Sequence, residues 1–487
     1  MQTFPLFFVP LPSNSSFRFL MKDGFAKGFL IGAALIFVGL SLEWSIGPVA
    51  WSRFAWPANG VVFAVFLAII AALFRLRRRV PFFGFIGSYH AAIPALVYAV
   101  ALTVVMGLTR QSADGSWFYN MLSFWPFVLI YVYIALILEL TILRQIKAAA
   151  TNFSSTSHFS LLFHLGLFIA ITTATLGHAD MERVKMILSL GQRESTALTR
   201  DGFVRQMPMT IELKRFVIEN YDDGAPKRFA SEMLILTKKN EELGATVEVN
   251  KPVSVNGWKI YQNSYDTRMG AKSRMSILEL VRDPWLPLVY SGIYLMLGGA
   301  FLLFLSAVRR HSPSKNKRFL PILAISALVF VVIVLFKNSM QSKTLVPALQ
   351  SPWFAPHVVV YMFAYTALGL ATLMALWQLF RKTPASLTTI DRLVSFGLAF
   401  MTVGMLFGAL WAKEAWGHYW SWDPKETWAA ITWFSYLIFI HYRRLPSHRP
   451  RLALCLLLVC FALLQMCWWG INYLPSAQAT SIHTYQL

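Results

Sequence analysis

The chain has ten histidines and three cysteines, the side chains best suited to hold a metal or act as a nucleophile. The cysteines carry little chemistry. Cys455, Cys460 and Cys467 share one apolar run and form no CxxC pair, so they read as packing thiols and supply no redox disulfide. His158, His311 and His448 lie among polar residues and read as solvated, while His178 closes an apolar run as an interface residue. His418 sits inside an aromatic stretch from Trp416 to Trp428, and five histidines toward the ends of apolar runs remain: His90, His164, His357, His441 and His483. His357 and His483 flank, in sequence, that stretch, which also contains Trp420, Trp422 and Tyr419. One reading of that stretch is an aromatic belt at a bilayer surface. A belt needs no fixed spacing, helix cap or acidic neighbour, whereas a flat apolar ligand needs a rigid aromatic shelf. A lone histidine at a helix end is usually structural. Two beside such a shelf point to a ligand that carries a metal.

The elements that must position these residues follow from composition. With 56% hydrophobic residues and a mean hydropathy of +0.53, the chain reads as a polytopic membrane protein. Eleven apolar runs are long enough to span: 25–43, 57–74, 86–107, 122–143, 159–177, 285–307, 319–337, 354–380, 391–411, 426–442 and 451–471. The first follows Arg18, Lys22 and Lys27 without a convincing cleavage site, so it is expected to remain as a helix. The net charge of +21 could suggest nucleic acid, but the basic residues cluster in short loops, as the positive-inside rule requires. Arg75, Arg77, Arg78 and Arg79 form one such group, Arg144 and Lys147 a second, and Arg309, Arg310, Lys315, Lys317 and Arg318 a third. Arg381, Lys382 and Arg392 form a fourth, and Arg443, Arg444, Arg449 and Arg451 a fifth. Eleven spans put all five on one side, with the N-terminus cytoplasmic and the C-terminus extracytoplasmic.

Residues 178–284 are the large polar insert on the other side. Alternating runs such as Met209–Leu213 and Ser231–Leu236, and the Asn256-Gly257 turn before Trp258, predict a small antiparallel β domain. The expected fold is therefore an all-α polytopic membrane protein of about eleven transmembrane helices with one extracytoplasmic antiparallel β domain. Within the aromatic stretch, Asp423, Pro424 and Glu426 have the order of an N-cap, a first helical residue and a capping-box acid. A helix cap explains these carboxylates better than acid–base catalysis does. His441 is eighteen residues beyond Asp423, about 27 Å along a helix, so it and the histidines flanking the aromatic stretch cannot share one metal. His164 opens the fifth run at comparable depth, with His90 as its rival, and an ionisable residue buried in a span is a functional candidate.

The string WGxYWxWDPKETWAxITW, from Trp416 to Trp433, resembles the tryptophan-rich WWD signature of haem-handling proteins of cytochrome c biogenesis, in its CcsA (ResC) branch. The preceding helices, the one carrying Phe163-His164-Leu165-Gly166, the external insert and the return helix more loosely resemble CcsB (ResB). Together they resemble a fused CcsBA joined near 308–320, with a smaller external domain and fewer accessory helices than many relatives. The expected domains are 1–177, membrane helices of the CcsB-like part; 178–284, the β domain; 285–316, a return helix and linker; and 317–487, the CcsA-like part with its WWD segment at 411–433.

The resemblance implies a cytochrome c haem lyase in the bacterial inner membrane that also takes part in haem transport. Haem b would be both its substrate and its bound ligand. The resemblance makes His357 and His483 the outer axial ligands of the iron and His164 and His441 the inner pair. It places Trp416, Trp420, Trp422, Asp423 and Trp428 against the haem; His418 falls at a variable motif position and is assigned no ligand role. Implied partners are an apocytochrome c with a CxxCH segment, an extracytoplasmic thioredoxin-like thiol reductant and membrane lipid. Two other functions fit a haem-binding membrane protein: a carrier that forms no bond, and a b-type cytochrome exchanging electrons with quinone.

Overall fold

The computed structural model describes residues 24–112, 114–151, 155–309, 345–381 and 387–477. Its helices are α1 Gly24–Ile46, α2 Ala58–Leu76, α3 Pro81–Ile86, α4 Tyr89–Leu108, α5 Trp125–Thr151 and α6 Ser155–Gly177. After the sheet come α7 Leu286–Arg309, α8 Phe354–Leu379, α9 Thr388–Trp416, α10 Pro424–Arg443 and α11 Pro450–Trp468. Ten of the eleven expected spans thus coincide with helices, and the run 319–337 lies outside the described residues. Eight helices among the described residues are long and apolar enough to cross a membrane, and α7 contributes a shorter apolar stretch, Leu286–Leu302. The protein is a multi-pass membrane protein.

Helix α10 is not among those eight, although it was expected as a span. It carries Lys425, Glu426, Thr427, Thr432, Ser435 and His441, yet thirteen of its twenty residues are buried. Its neighbours are α4, α9 and α11. A helix enclosed by other helices needs no lipid-facing apolar surface, so polar side chains are tolerated where they bond inward. Thr432 Oγ1 donates to Trp428 O at 2.8 Å, and Trp433 Nε1 donates to Thr402 Oγ1 at 2.9 Å. Around α10, Ala364, Leu368, Val394, Leu398, Tyr436, Phe439 and Leu457 form a core with Leu96 of α4.

The insert is one eight-stranded antiparallel sheet of order β5-β4-β3-β2-β1-β8-β7-β6. The strands are β1 Glu182–Ser189, β2 Arg193–Thr199, β3 Val204–Asn220, β4 Pro226–Thr237, β5 Glu242–Glu248, β6 Val253–Val255, β7 Trp258–Tyr265 and β8 Met275–Arg282. The expected turn joins β6 to β7, with φ of 49° at Asn256 and 80° at Gly257, the doubly left-handed backbone of a type I′ hairpin. First and last strands pair in register from Glu182↔Arg282 to Ser189↔Met275, so the insert returns the chain beside its point of departure. Helices α6 and α7 on either side of it pack closely through glycine: a Cβ on Gly166 would approach Gly292 O to 2.7 Å, and one on Gly299 would reach Phe163 N at 2.7 Å.

Among the described residues, basic side chains of the first, second and fifth groups gather at one end of the bundle. Arg144 of α5 donates to Gly84 O at 2.9 Å and also to Gly87 O, and Arg443 pairs with Asp391 at 2.6 Å. The sheet lies at the opposite end, where Asp180 accepts from Trp56 N, Asn59 Nδ2 and Trp285 Nε1.

Candidate functional site

Helix α9 was expected to end near residue 411 but continues to Trp416. Its 29 residues measure about 43 Å, longer than the roughly 30 Å hydrocarbon layer. The projecting end meets the sheet. Lys413 Nζ lies 3.0 Å from Asp283 Oδ2, with the two side chains 1% and 4% exposed. Arg183 of β1 donates from Nη2 to Trp416 O at 3.1 Å and pairs with Glu279 of β8 at 2.8 Å. Gly417 ends the helix in the left-handed region, φ 75°, and a Cβ there would come within 3.0 Å of Val281 and 3.1 Å of Tyr261. Burial pushes the hydroxyls of Tyr261 and Tyr419 above their ordinary range. A cavity of about 170 Å³ remains between sheet and loop, lined by Arg183, Tyr261, Glu279, Trp416 and His418 among others.

From Gly417 the loop runs to the cap of α10. Asp423 accepts from Glu426 N at 2.8 Å, and Glu426 Oε2 accepts from Asp423 N at 3.3 Å, completing the expected capping box. Glu426 Oε2 also accepts from Ser421 N at 2.7 Å. These bonds hold the loop in the shape that Trp422, at φ 57°, requires.

The tryptophans point in several directions. Trp416 packs on Trp411 at 5.0 Å and stacks at 6.3 Å with His418. Trp422 meets Phe127 and Tyr131 of α5 edge-on at 6.0 and 6.2 Å, and Trp420 meets Trp422 at 5.8 Å. Trp428 is buried with Ile431, Cys467 and Ile471. The indole N–H groups of Trp420 and Trp428 are buried without a hydrogen-bond acceptor among the described residues. Buried donors normally have a partner, so these two suit a ligand bearing acceptor oxygens.

His357 lies in the first turns of α8, half-buried against Tyr361 at 4.9 Å and Trp411 at 5.8 Å. Its Nδ1 donates to Gly404 O at 2.8 Å, which makes Nε2 the lone-pair nitrogen. The approach depends on glycine. A Cβ on Gly408 would sit 2.7 Å from the His357 ring, and one on Gly404 would sit 2.9 Å from Tyr361. Gly408→Val should therefore turn the imidazole away; with His357 as the outer ligand that the sequence resemblance implies, haem retained by the purified protein should fall by about tenfold, the lower range for disturbing a metal ligand's support. Retention equal to wild type in a well-folded variant would contradict this. His483, the other expected outer ligand, lies outside the described residues.

The inner histidines occupy the basic end. His441 is in the last turn of α10, buried, with Nδ1 donating to Leu437 O at 2.7 Å. His164 does not open its helix, because α6 begins at Ser155; it is buried deeper, with Nδ1 donating to Ser160 O at 2.7 Å. His164 and His441 lie within electrostatic reach of each other and of Arg444. His90 instead packs on Phe25, ring centres 4.8 Å apart, and against Gly24 of α1. The same Nδ1-to-carbonyl bond occurs at the surface residue His448, so the tautomer is a precondition for ligation and does not identify a ligand. Among the described residues no three His, Cys, Asp or Glu side chains group to hold a metal ion. Paired imidazoles suit a haem iron, whose macrocycle supplies the other four ligands. The sequence marks Arg444 only as a topological charge; its position three residues after His441, at the C-cap of the same helix, is the available signal.

Known proteins are similar in sequence to both parts of this chain. The family described as "Cytochrome C assembly protein" matches residues 285–477, and the "ResB-like family" matches 149–276. "Cytochrome c biogenesis protein CcsA" of Chlamydomonas reinhardtii is 35% identical over 169 residues, covering 32% of this chain and 47% of the relative. The protein of that name from Guillardia theta is 33% identical, covering 32% and 61%, and that from Oenothera argillicola is 30% identical, covering 38% and 75%. The chain thus spans about half of the first of these relatives and three quarters of the last. With its aromatic loop and its ResB-like sheet in one polypeptide, the chain belongs to the CcsA family of cytochrome c biogenesis proteins, in the fused CcsBA form.

Proposed function

We propose that this protein is a cytochrome c synthetase that receives haem b at the inner histidine pair, presents it at the outer face and attaches it to apocytochrome c. The observation that carries the reading is the pairing of two histidine sites with opposite ends of one helical bundle. His164 and His441 share the basic end, while His357 stands against the end of α9 that carries the aromatic loop. His357 and His483 would hold the iron outside, with Trp416, Trp420, Trp422, Asp423 and Trp428 forming or supporting the surrounding wall. The substrate haem would supply the vinyl groups to which the client's CxxCH cysteines add. Each addition forms an S–C bond and transfers the thiol hydrogen to the neighbouring carbon, so the cysteines must arrive reduced; a thioredoxin-like reductant serves that need. The chain's own contribution is positioning, which can remove much of the barrier to such an addition.

The domain division follows the same plan: 1–177, 178–284, 285–316 and 317–487, with the β domain outside the bacterial inner membrane. A reporter enzyme fused after Arg79 should read cytoplasmic, and one inserted within 180–280 should read periplasmic. The same side for both would sink this orientation.

The decisive experiment is co-expression with a CxxCH apocytochrome in a host lacking its own synthetase. Covalent haem on the reporter supports the synthetase. Haem bound to this protein without covalent product would instead favour a carrier or a b-type electron-transfer cytochrome.

A further inference from the structure

Arg443 and Arg444 are neighbours at the end of α10 with different surroundings. Arg443 makes a two-point contact with Asp391, Nε to Oδ1 at 2.7 Å and Nη2 to Oδ2 at 2.6 Å. Asp391 is also within electrostatic reach of Arg444, but both its oxygens are engaged by Arg443. Arg444 is hydrogen-bonded to the Tyr89 hydroxyl, a neutral partner, and among the described residues no carboxylate forms an ion pair with it. The ring of the same Tyr89 meets the His441 ring edge-on, 5.9 Å between centres and 67° between planes. One tyrosine therefore touches both the imidazole and the guanidinium. The helix reinforces that arrangement. Arg444 is the C-cap residue, its backbone N–H bonded to His441 O at 3.2 Å, and a spacing of three residues keeps side chains on one face.

A half-buried guanidinium within electrostatic reach of two imidazoles, with no carboxylate in ion-pair contact among the described residues, lacks its natural complement at a membrane boundary. Topology alone requires only charge in the loop, and Arg449 and Arg451 already provide it. The missing partner should be an anion with two oxygens, the geometry that a guanidinium binds best.

We propose that Arg444, held by Tyr89, is the carboxylate anchor of the inner site and binds a propionate of the haem whose iron is taken by His164 and His441. The assignment rests on the reading of those histidines as a haem site and names the group that recognises the ligand's acidic edge. Arg444 is a binding residue for the porphyrin's carboxylate, and Tyr89 orients it.

The test uses the purified full-length protein in a His357→Ala background, so that haem at the outer face does not contribute. Binding is titrated with haem and with haem dimethyl ester, which presents the same iron and ring without carboxylates. The parent should prefer haem by about tenfold, the ratio expected for one charge-assisted contact. Arg444→Gln should erase the preference by weakening haem binding while leaving the ester unchanged. Arg444→Lys should keep part of the preference, and Arg443→Gln should keep all of it. The anchor role is overturned if Arg444→Gln retains the full preference. It is also overturned if that variant loses haem and ester equally, which would mark Arg444 as a structural residue. If instead His164→Ala and His441→Ala both bind haem as the parent does, the reading of the histidine pair fails, whatever Arg444 does.

Discussion

Glycine in place of His357 should abolish covalent haem attachment to a CxxCH reporter, and added imidazole should restore part of it. The expected loss exceeds the roughly 10–100-fold that follows from disturbing a ligand's supporting partner, because here the proposed ligand itself is removed. Rescue is expected because His357 is half-buried at the end of the bundle that meets the sheet, where a small ligand can enter from water. His441→Gly should also stop maturation, but earlier, as less haem at the outer site. His441 and the Asp423 cap occupy opposite ends of one unbroken helix, about 27 Å apart, so an iron held beside the aromatic loop is out of reach of His441. Haem spectra of both variants, with reporter maturation measured alongside, check the assignment. Intact maturation in His441→Gly would remove the inner site from the pathway, and intact maturation in His357→Gly would remove the outer one.

Lys413→Met should lower stability by about 3–5 kcal/mol, because it leaves Asp283 charged and buried without its partner. The pair joins the end of α9 to the connection between β8 and α7, and it lies beside the aromatic loop, with Lys413 Nζ 5.5 Å from the centre of the Tyr419 ring. Thermal unfolding of the detergent-solubilised protein should show a clear fall in midpoint. Lys413→Met combined with Asp283→Leu should recover most of it, since an apolar pair of similar volume removes the unpaired charge as well. A single variant as stable as wild type would show that water reaches the site. Maturation should follow stability here, because the same contacts hold Trp416 and Gly417 against β7 and β8.

The features readable from the chain alone are those decided by neighbours in sequence. Asp423 and Glu426 are three residues apart, and their capping box forms wherever a helix begins there. Asn256-Gly257 turns the chain because only those residue types accept two successive positive φ values readily. Apolar runs of spanning length announced the helices, and the alternating insert announced the sheet. The sense of α10 as an enclosed helix was not legible, since composition reports how apolar a helix is and not what surrounds it. Packing also decided that Trp422 meets Phe127 and Tyr131, that His164 lies within reach of His441 while His90 turns to α1, and that Arg444 stands beside them. Lys413 and Asp283 are 130 residues apart, and nothing local marks either for the other. Such contacts depend on which helix faces meet, and that is set by the fit of many side chains and close glycine approaches across the whole bundle.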